Sequence, residues 1–306
     1  MSRVDPAAPL RAISIVVPAY NEEAALGSVL TALEQAFDSA GADYEIIVVD
    51  DGSTDRTAQI VAGFARVRLV RHGDTRGSGA ARNTGIRFAR GAWIGMTDGD
   101  GTYPVADLPR LVALLAECDM VLGARRREMG TLPWLRAPAK WLIRKLAEVI
   151  AQRRIPDLNT GFRAFRKELA EQFFYMLPNT HSWVSTITLA FLTHDYRVRY
   201  EPIDYFARRG RSSFHPIRDT FNYLTLVIRA VMYFKPLRIF VPLSGLLLLV
   251  GLLRMIRDWL RFGVLGGFGI TLLVLSFLVG VLGLLAESVV VQGKRARPPL
   301  PPEPHP

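Results

Sequence analysis

The stretch Trp93-Ile94-Gly95-Met96-Thr97-Asp98-Gly99-Asp100 is an apolar run that ends in two carboxylates with one glycine between them. A short apolar run beside glycines predicts a buried β-strand, and the strands of open α/β sheets present functional groups at their carboxyl ends. We therefore expect Asp98 and Asp100 at such an end. Two carboxylates this close repel unless a cation or hydrogen-bond donors compensate them, so the pair predicts a divalent metal site. An Asp-Gly turn that caps the next helix is the alternative.

Strand-like and helix-like segments alternate on both sides of this stretch. The other predicted strands are the apolar runs at residues 13–17, 45–49, 67–70 and 120–122. The predicted helices cover residues 26–37, 78–89 and 107–117. Asn21 is expected to cap the first helix, with Glu22 and Glu23 in its first turn. This alternation predicts an α/β fold with a doubly wound, mostly parallel sheet.

The composition limits the classes of protein to consider. The chain has 306 residues, enough for one large α/β domain with an appendage or for two modest domains. Its net charge of +10 favours an anionic partner such as nucleic acid, lipid headgroups or a phosphorylated substrate. No nucleic-acid-binding motif accompanies the charge, so we expect no nucleic acid partner. The single Cys118 excludes an internal disulfide, and Cys and His are too few for a zinc site.

Two apolar runs near the C-terminus predict membrane-spanning helices. Residues 262–286 carry no charged side chain and are long enough to cross a hydrocarbon core of about 30 Å. Residues 239–253 form a shorter run that Pro242 and Gly245 interrupt. This second run spans a membrane only if the arginines at its two ends reach outward to the interface. We expect both to cross, as a pair of transmembrane helices.

A basic segment lies between the predicted sheet and these apolar runs. Residues 134–150 interleave arginines and lysines with tryptophan, leucine and valine. This pattern is typical of a helix that lies on an anionic membrane surface. A solvated face over an ordinary core stripe would give the same pattern, and that alternative stays open.

The run Gly77-Ser78-Gly79 contains part of a dinucleotide-binding fingerprint, but it follows the third predicted strand and lacks the third glycine. We therefore interpret the two glycines as a tight entry into the helix that follows. A close approach of the backbone to a nucleotide is the alternative that remains.

Three acidic strand ends would meet in one crevice of a parallel sheet. They are Val17-Pro18-Ala19-Tyr20-Asn21-Glu22, the run from Val49 to Asp55, and the run from Asp98 to Pro104. In this order they resemble the inverting GT-A-fold glycosyltransferases, and in particular polyprenyl-phosphate sugar synthases similar to dolichyl-phosphate mannose synthase. Residues 157–163, residues 208–213 and the apolar pair resemble later parts of the same group.

The resemblance implies roles for individual residues. The residues implied to bind a nucleotide sugar are Pro18, Tyr20, Glu22, Val49, Asp51, Asp98, Gly99, Asp100 and Arg208. Asp98, Asp100 and Arg125 are implied to be catalytic, and Asp98 and Asp100 are implied to hold a divalent metal ion, Mg or Mn. Arg125 and Arg163 are implied to bind the phosphate of the acceptor.

Two positions depart from the pattern of the group. Thr102 stands where relatives commonly have glutamine, so the sequence leaves the third metal ligand unassigned. Ser213 stands where relatives often have lysine, and a nearby arginine such as Arg211 would have to replace it.

The function implied by the resemblance is transfer of one sugar from a nucleotide diphosphate donor to a polyprenyl phosphate, with inversion. A processive polysaccharide synthase is one alternative, but the Gln-x-x-Arg-Trp motif that such enzymes need does not occur. A catalytically inactive membrane scaffold is the other, and it would be expected to lose the acidic strand ends. The expected partners are the nucleotide sugar, the polyprenyl phosphate and membrane lipids, and a homo-oligomer is left open.

The expected organisation is a membrane protein whose catalytic domain faces the cytoplasm, where nucleotide sugars are made. Basic residues at 294, 295 and 297 favour this orientation, whereas arginines at 254, 257 and 261 oppose it. The expected segments are a disordered N-terminus at 1–11, a GT-A domain at 12–215, a juxtamembrane helix at 216–233, two transmembrane helices at 234–290 and a Pro-rich cytoplasmic tail at 291–306.

Overall fold

The computed structural model describes residues 12–126, 145, 147–148, 151–208 and 236–295. These residues fall into two compact units, divided between positions 223 and 224 of the chain. Five predictions lie wholly or mostly outside the described residues. They concern the N-terminus at 1–11, the amphipathic segment at 134–150, the loop after Arg208, the juxtamembrane helix at 216–233 and most of the Pro-rich tail.

The first unit is built on a seven-stranded sheet. Its strands are β1 Ile13–Ala19, β2 Tyr44–Asp50, β3 Val67–Arg71, β4 Trp93–Met96, β5 Met120–Arg125, β6 Arg163–Arg166 and β7 Val198–Ile203. Their order across the sheet is β3-β2-β1-β4-β6-β5-β7. Strand β6 runs antiparallel to β4 and β5, and the other pairs are parallel. The predicted mostly parallel sheet is confirmed, although the analysis of the sequence did not identify β6 or β7.

Helices connect the strands and cover the sheet. They are α1 Leu26–Ser39, α2 Thr57–Ala62, α3 Ser78–Phe88, α4 Leu108–Ala113, α5 Lys167–Glu171 and α6 Trp183–Thr193. The apolar stripe of α1 is buried as predicted, from Leu26 to Phe37. Burying each such side chain contributes about 1.5–3 kcal/mol to folding, which fixes α1 on the sheet beside the end of β1. The helix predicted at 107–117 is broken, because short 3-10 turns at 105–107 and 114–116 flank α4.

The expected capping of α1 by Asn21 is wrong. The helix begins at Leu26, has no side-chain cap, and carries no acidic residue in its first turn. Asn21 instead adopts a left-handed conformation with φ of 54°. Its Oδ1 accepts a hydrogen bond from the backbone N–H of Thr54 at 2.8 Å, and its own N–H donates to Ser53 Oγ at 2.9 Å. These bonds join the loop after β1 to the loop after β2, and this link replaces the cap.

The second unit is a pair of long apolar helices, α7 Leu237–Phe262 and α8 Gly267–Arg295. Gly263 ends α7 in a left-handed conformation with φ of 68°, so Phe262 belongs to the first helix and not to the second. Two serines join the helices reciprocally, because Ser244 Oγ donates to the Ser276 carbonyl at 2.9 Å and Ser276 Oγ donates to the Ser244 carbonyl at 3.0 Å.

Both helices are long and apolar enough to cross a membrane. Each candidate span has 26 residues, or about 39 Å at 1.5 Å per residue, which exceeds a hydrocarbon core of about 30 Å. Helix α8 continues to residue 295, so the tail expected from residue 291 begins at least five residues later.

Candidate active site

A crevice of about 380 Å³ opens where the carboxyl ends of β1, β2 and β4 meet. Its walls are Pro18, Ala19, Tyr20, Glu22, Asp51, Thr75, Gly77, Ser78, Ala81, Arg82, Asp98, Gly99, Asp100, His181 and Arg208. The structure thus brings together all of the residues that were expected to bind a nucleotide sugar except Val49. The side chain of Val49 is fully buried in β2, and its expected part in nucleotide-sugar binding stays a prediction.

Asp51 is held in a fixed orientation on one side of the crevice. Its Oδ1 accepts hydrogen bonds from His72 Nδ1 at 2.7 Å and from the N–H of Arg76 at 2.9 Å. Its Oδ2 accepts one from the N–H of Gly77 at 2.8 Å. A carboxylate offers about four lone pairs, so these bonds leave about one acceptor position, on Oδ2. Asp51 can therefore accept about one further hydrogen bond, from an N–H or O–H group in the crevice.

Asp98 follows β4 in the crevice wall and pairs with a buried arginine. Arg82 Nη2 donates to Asp98 Oδ1 at 2.6 Å, and Arg82 Nη1 donates to the Ser78 carbonyl one turn earlier in α3. Gly161 packs directly against the other oxygen, because a Cβ at this position would lie 2.5 Å from Asp98 Oδ2. The N–H of Gly161 donates to the hydroxyl of Tyr103 at 2.8 Å, which fixes this backbone. Asp98 is therefore positioned by α3 on one side and by the segment before β6 on the other.

Asp100, Glu22 and Arg208 form the third part of the crevice. Asp100 Oδ1 accepts hydrogen bonds from the N–H and the hydroxyl of Thr102 at 3.1 and 2.7 Å. Arg208 Nη2 lies 2.5 Å from Glu22 Oε1, and Arg208 Nη1 lies 3.7 Å from Asp100 Oδ2. Arg208 thus bridges the carboxylates that follow β1 and β4.

The crevice wall contains more carboxylates than arginines. Burial raises the pKa of Glu22 to about 7; Arg208 opposes this, and the charges of Asp100 and Asp98 add to it. Burial and the charge of Asp98 also raise the pKa of Asp100. A cation that entered the crevice would favour the ionised form of both groups.

The two carboxylates after β4 suit a hard divalent cation. Within the described part of the chain, no hydrogen bond is donated to Oδ2 of Asp98 or of Asp100. The described residues contain no group of three or more His, Cys, Asp and Glu side chains that could hold a metal ion alone. Mg²⁺ is commonly bound by one or two carboxylates together with phosphate oxygens of a substrate. The residues therefore fit such an ion when a phosphate ligand completes the coordination.

The arginine expected to bind the acceptor from within β6 is buried away from the crevice. Arg163 is fully buried, and its guanidinium donates to the carbonyls of Thr160 and Val184 and to the hydroxyl of Thr188. Burial and the charge of Arg82 lower the pKa of Arg163 to about 9. Three neutral oxygens thus accept hydrogen bonds from its two Nη atoms, and the expected role of Arg163 in binding the acceptor phosphate stays a prediction.

Arg125 ends β5 and pairs with a buried carboxylate. Its Nε and Nη2 donate to Asp157 Oδ2 and Oδ1 at 2.7 and 2.9 Å. Burial acts to raise the pKa of Asp157, but the hydrogen bonds and the charge of Arg125 prevail and hold it below its ordinary value. Arg125 does not line the crevice described above, and its expected part in binding the acceptor phosphate stays a prediction.

Four residues that shape the crevice were not expected from the sequence: His72, Thr75, Arg82 and His181. Only Arg82 had a local signal in the sequence, because it follows Ser78 by one helical turn and therefore lies on the same face of α3 as Ser78. The partner of His72 is 21 residues away and the partner of Ser78 is His181, so neither has a local pattern.

The fold and the crevice define an α/β protein whose acidic ligand site lies at the switch point of its sheet, and the same chain carries an apolar helical hairpin. Residues 14–174 match glycosyl transferase family 2, and residues 235–290 match the GtrB C-terminal hairpin. The chain belongs to glycosyl transferase family 2. The predicted family resemblance is thereby confirmed.

Curated relatives cover most of the chain. An undecaprenyl-phosphate 4-deoxy-4-formamido-L-arabinose transferase of Pseudomonas aeruginosa is 28% identical over 80% of this chain and 72% of its own length. The enzyme of that name from Serratia proteamaculans is 28% identical over 97% and 94%. A dolichyl-phosphate beta-glucosyltransferase of Dictyostelium discoideum is 27% identical over 61% and 63%.

Solved structures share the fold of the first unit. Glucosyl-3-phosphoglycerate synthase of Mycobacterium tuberculosis, crystallised with Mn²⁺, UDP and glucosyl-3-phosphoglycerate, has a TM-score of 0.57 at 22% identity, covering 72% of this chain and 79% of that one. Mannosyl-3-phosphoglycerate synthase of Rubrobacter xylanophilus has a TM-score of 0.56 at 21% identity, covering 74% of each chain. These likenesses confirm the predicted GT-A-type fold.

Proposed function

We propose that this protein transfers one sugar from a nucleotide diphosphate sugar to a polyprenyl phosphate, with inversion at the anomeric carbon. The observation that carries the proposal is the crevice, in which the acidic ends of β1, β2 and β4 converge around Arg208 in a chain that also has an apolar helical hairpin. The names of the curated relatives support a lipid phosphate as the acceptor.

The donor would lie across the carboxyl ends of the strands. Tyr20, which is 39% exposed, offers a ring face for the base, and Pro18 lies beside it in the crevice wall. Asp51 would accept one N–H or O–H from the base or the ribose with its remaining acceptor position. Gly99 lies in the crevice wall between the two carboxylates, where a Cβ would press against the side chain of Leu26 at 3.2 Å.

A divalent metal ion, Mg or Mn, would be held by Asp98 and Asp100. Such an ion supplies electrostatic stabilisation for the charge that develops on a departing diphosphate. Arg82 orients Asp98 through its hydrogen bond to Oδ1, and Thr102 orients Asp100 through its N–H and hydroxyl. Glu22 turns Arg208 toward Asp100, so that one guanidinium serves both carboxylates and faces the phosphates.

The acceptor determines which groups the site requires. A sugar hydroxyl needs a general base, whereas a phosphate monoester has a second pKa of about 6 and is already ionised near neutral pH. Such an acceptor needs cations, and the guanidinium fork suits phosphate oxygens. Arg208 lines the crevice, and Arg125 at the end of β5 would receive the phosphate at its edge.

The hairpin would hold the protein in the membrane where the lipid acceptor resides. We place the first unit on the cytoplasmic side, because nucleotide sugars are made there and residues 294, 295 and 297 are basic.

The proposal is tested by incubating the full chain in detergent with radiolabelled UDP- and GDP-sugars and either undecaprenyl or dolichyl phosphate. We expect label from one donor to enter the lipid phase. Asp100→Asn should abolish this transfer, whereas Asp43→Asn, a matched change at an exposed carboxylate outside the crevice, should leave it intact. Equal transfer by both variants, or no transfer with any combination, would refute the proposal.

A further inference from the structure

One wall of the crevice is the loop at 72–77, which joins β3 to α3. Asp51 accepts hydrogen bonds from the N–H groups of Arg76 and Gly77 in this loop. Gly52 packs beneath it with φ of 78°, and a Cβ there would lie 3.1 Å from the N atom of Thr75. On its other side, a Cβ at Gly77 would lie 2.3 Å from the Asn179 carbonyl. The loop is therefore a fixed wall, and backbone approach between protein segments explains its glycines.

A buried histidine joins this wall to the carboxylate of Asp51. The side chain of His72 is 5% exposed and that of Asp51 is 4% exposed. Nδ1 of His72 lies 2.7 Å from Asp51 Oδ1, and Nε2 lies 2.9 Å from the hydroxyl of Thr84 in α3. Because an ionised carboxylate only accepts hydrogen bonds, Nδ1 carries the proton in this contact. The ring thus connects the end of β3, the first turns of α3 and the crevice carboxylate.

We propose that His72 is a positioning residue for donor binding, which acts through Asp51 and does not itself touch the nucleotide. The inference rests on the proposed function, because Asp51 is taken to bind the nucleotide. His72 does not line the crevice, and its Nδ1–H fixes the rotation of the Asp51 carboxylate. Without that bond, only the N–H groups of Arg76 and Gly77 hold the carboxylate, and the acceptor position on Oδ2 is less precisely directed at the ligand.

Two substitutions that differ by one methylene separate this role from simple space filling. The side-chain nitrogen of His72→Asn occupies the place of Nδ1 and can still donate to Asp51. The nitrogen of His72→Gln occupies the place of Nε2 and reaches Thr84 instead. If the ring only fills space, glutamine, which is closer in volume, is the better replacement.

The experiment measures binding of UDP and of GDP, each with Mg²⁺, to the full chain in detergent by titration calorimetry. We expect His72→Asn to bind the preferred nucleotide within about threefold of wild type, and His72→Gln to bind it about tenfold or more weakly, since the buried carboxylate of Asp51 loses one of its three hydrogen-bond donors. His194→Gln, the same change at the end of α6, should bind like wild type. Thermal unfolding of each variant checks that it is folded.

A second readout needs no nucleotide. Hydrogen exchange at the N–H groups of Arg76 and Gly77 should speed up in His72→Gln and stay slow in His72→Asn, because both groups donate to Asp51. Equal binding and equal exchange in the two variants, or tighter binding by His72→Gln, would overturn the role of His72 and leave the proposed function standing. A wild-type chain that binds neither nucleotide would overturn the proposed function and the inference with it.

Discussion

Replacing Gly161 by alanine should disable the site while leaving the fold intact. The new Cβ would lie 2.5 Å from Asp98 Oδ2, and contacts under 3.0 Å essentially never occur. The carboxylate must therefore shift by roughly 0.5 to 1 Å, and this shift stretches its 2.6 Å hydrogen bond from Arg82. Since a misplacement of about 1 Å can cost about 100-fold in rate, we expect kcat to fall by about 10- to 100-fold.

The assay compares initial rates of sugar transfer at saturating donor and lipid phosphate, together with thermal unfolding. Gly27→Ala is the matched control, because its Cβ meets only an ordinary contact at 3.6 Å from Ile60. The control should retain full activity. If Gly161→Ala keeps a rate within twofold of wild type, the exact position of the Asp98 carboxylate is not required for turnover. Its proposed role in holding the metal ion would then be wrong.

Four further predictions concern the metal ion, Glu22, Arg125 and the helical hairpin. Removal of divalent metal with EDTA should mimic Asp100→Asn, and full activity in metal-stripped buffer would contradict the metal assignment. The pKa of Glu22 is raised from 4.5 to about 7, so the folded state holds this proton more tightly than the unfolded state does. Ionised Glu22 therefore lowers the free energy of unfolding progressively as the pH rises through this range, and the loss is constant above it. The stability of Glu22→Gln relative to wild type should thus grow by about 3 kcal/mol between pH 4 and pH 8 in metal-free unfolding experiments. Arg125→Ala leaves the carboxylate of Asp157 buried and unpaired, and unfolding measurements should show a loss of about 3–5 kcal/mol together with strongly reduced turnover. A chain that ends near Phe234 should still bind nucleotide in calorimetry but use long prenyl phosphates poorly, and equal use would contradict an anchoring role for the hairpin.

The sequence reveals those parts of the molecule that depend on local signals. The apolar runs and the acids after them identify β1, β2 and β4 because strand preference and the strand-end position are both encoded within a few residues. The apolar stripe of α1 and the hairpin are identified for the same reason. These elements suffice to place Asp51, Asp98 and Asp100 at one edge of the sheet.

The remaining features depend on contacts between distant segments. Strand β6 has only four residues and contains two arginines, so it has no strand-like pattern, and it forms because β4 and β5 pair with it on both sides. Asn21 carries a capping signal, but its amide bonds to the loop after β2. The resemblance places Arg163 near the acceptor, whereas carbonyls of α6 and of the segment before β6 occupy its donors.

The most direct test of the central claim is the chemical identity of the product. The lipid formed by the full chain from the preferred nucleotide sugar and polyprenyl phosphate should be extracted and analysed by mass spectrometry and by NMR of its anomeric carbon. We expect a lipid phosphate that carries one sugar in a phosphodiester, labile to mild acid, with the anomeric configuration opposite to that of the donor. A sugar attached to a lipid alcohol or to another sugar, or a retained configuration, would contradict it.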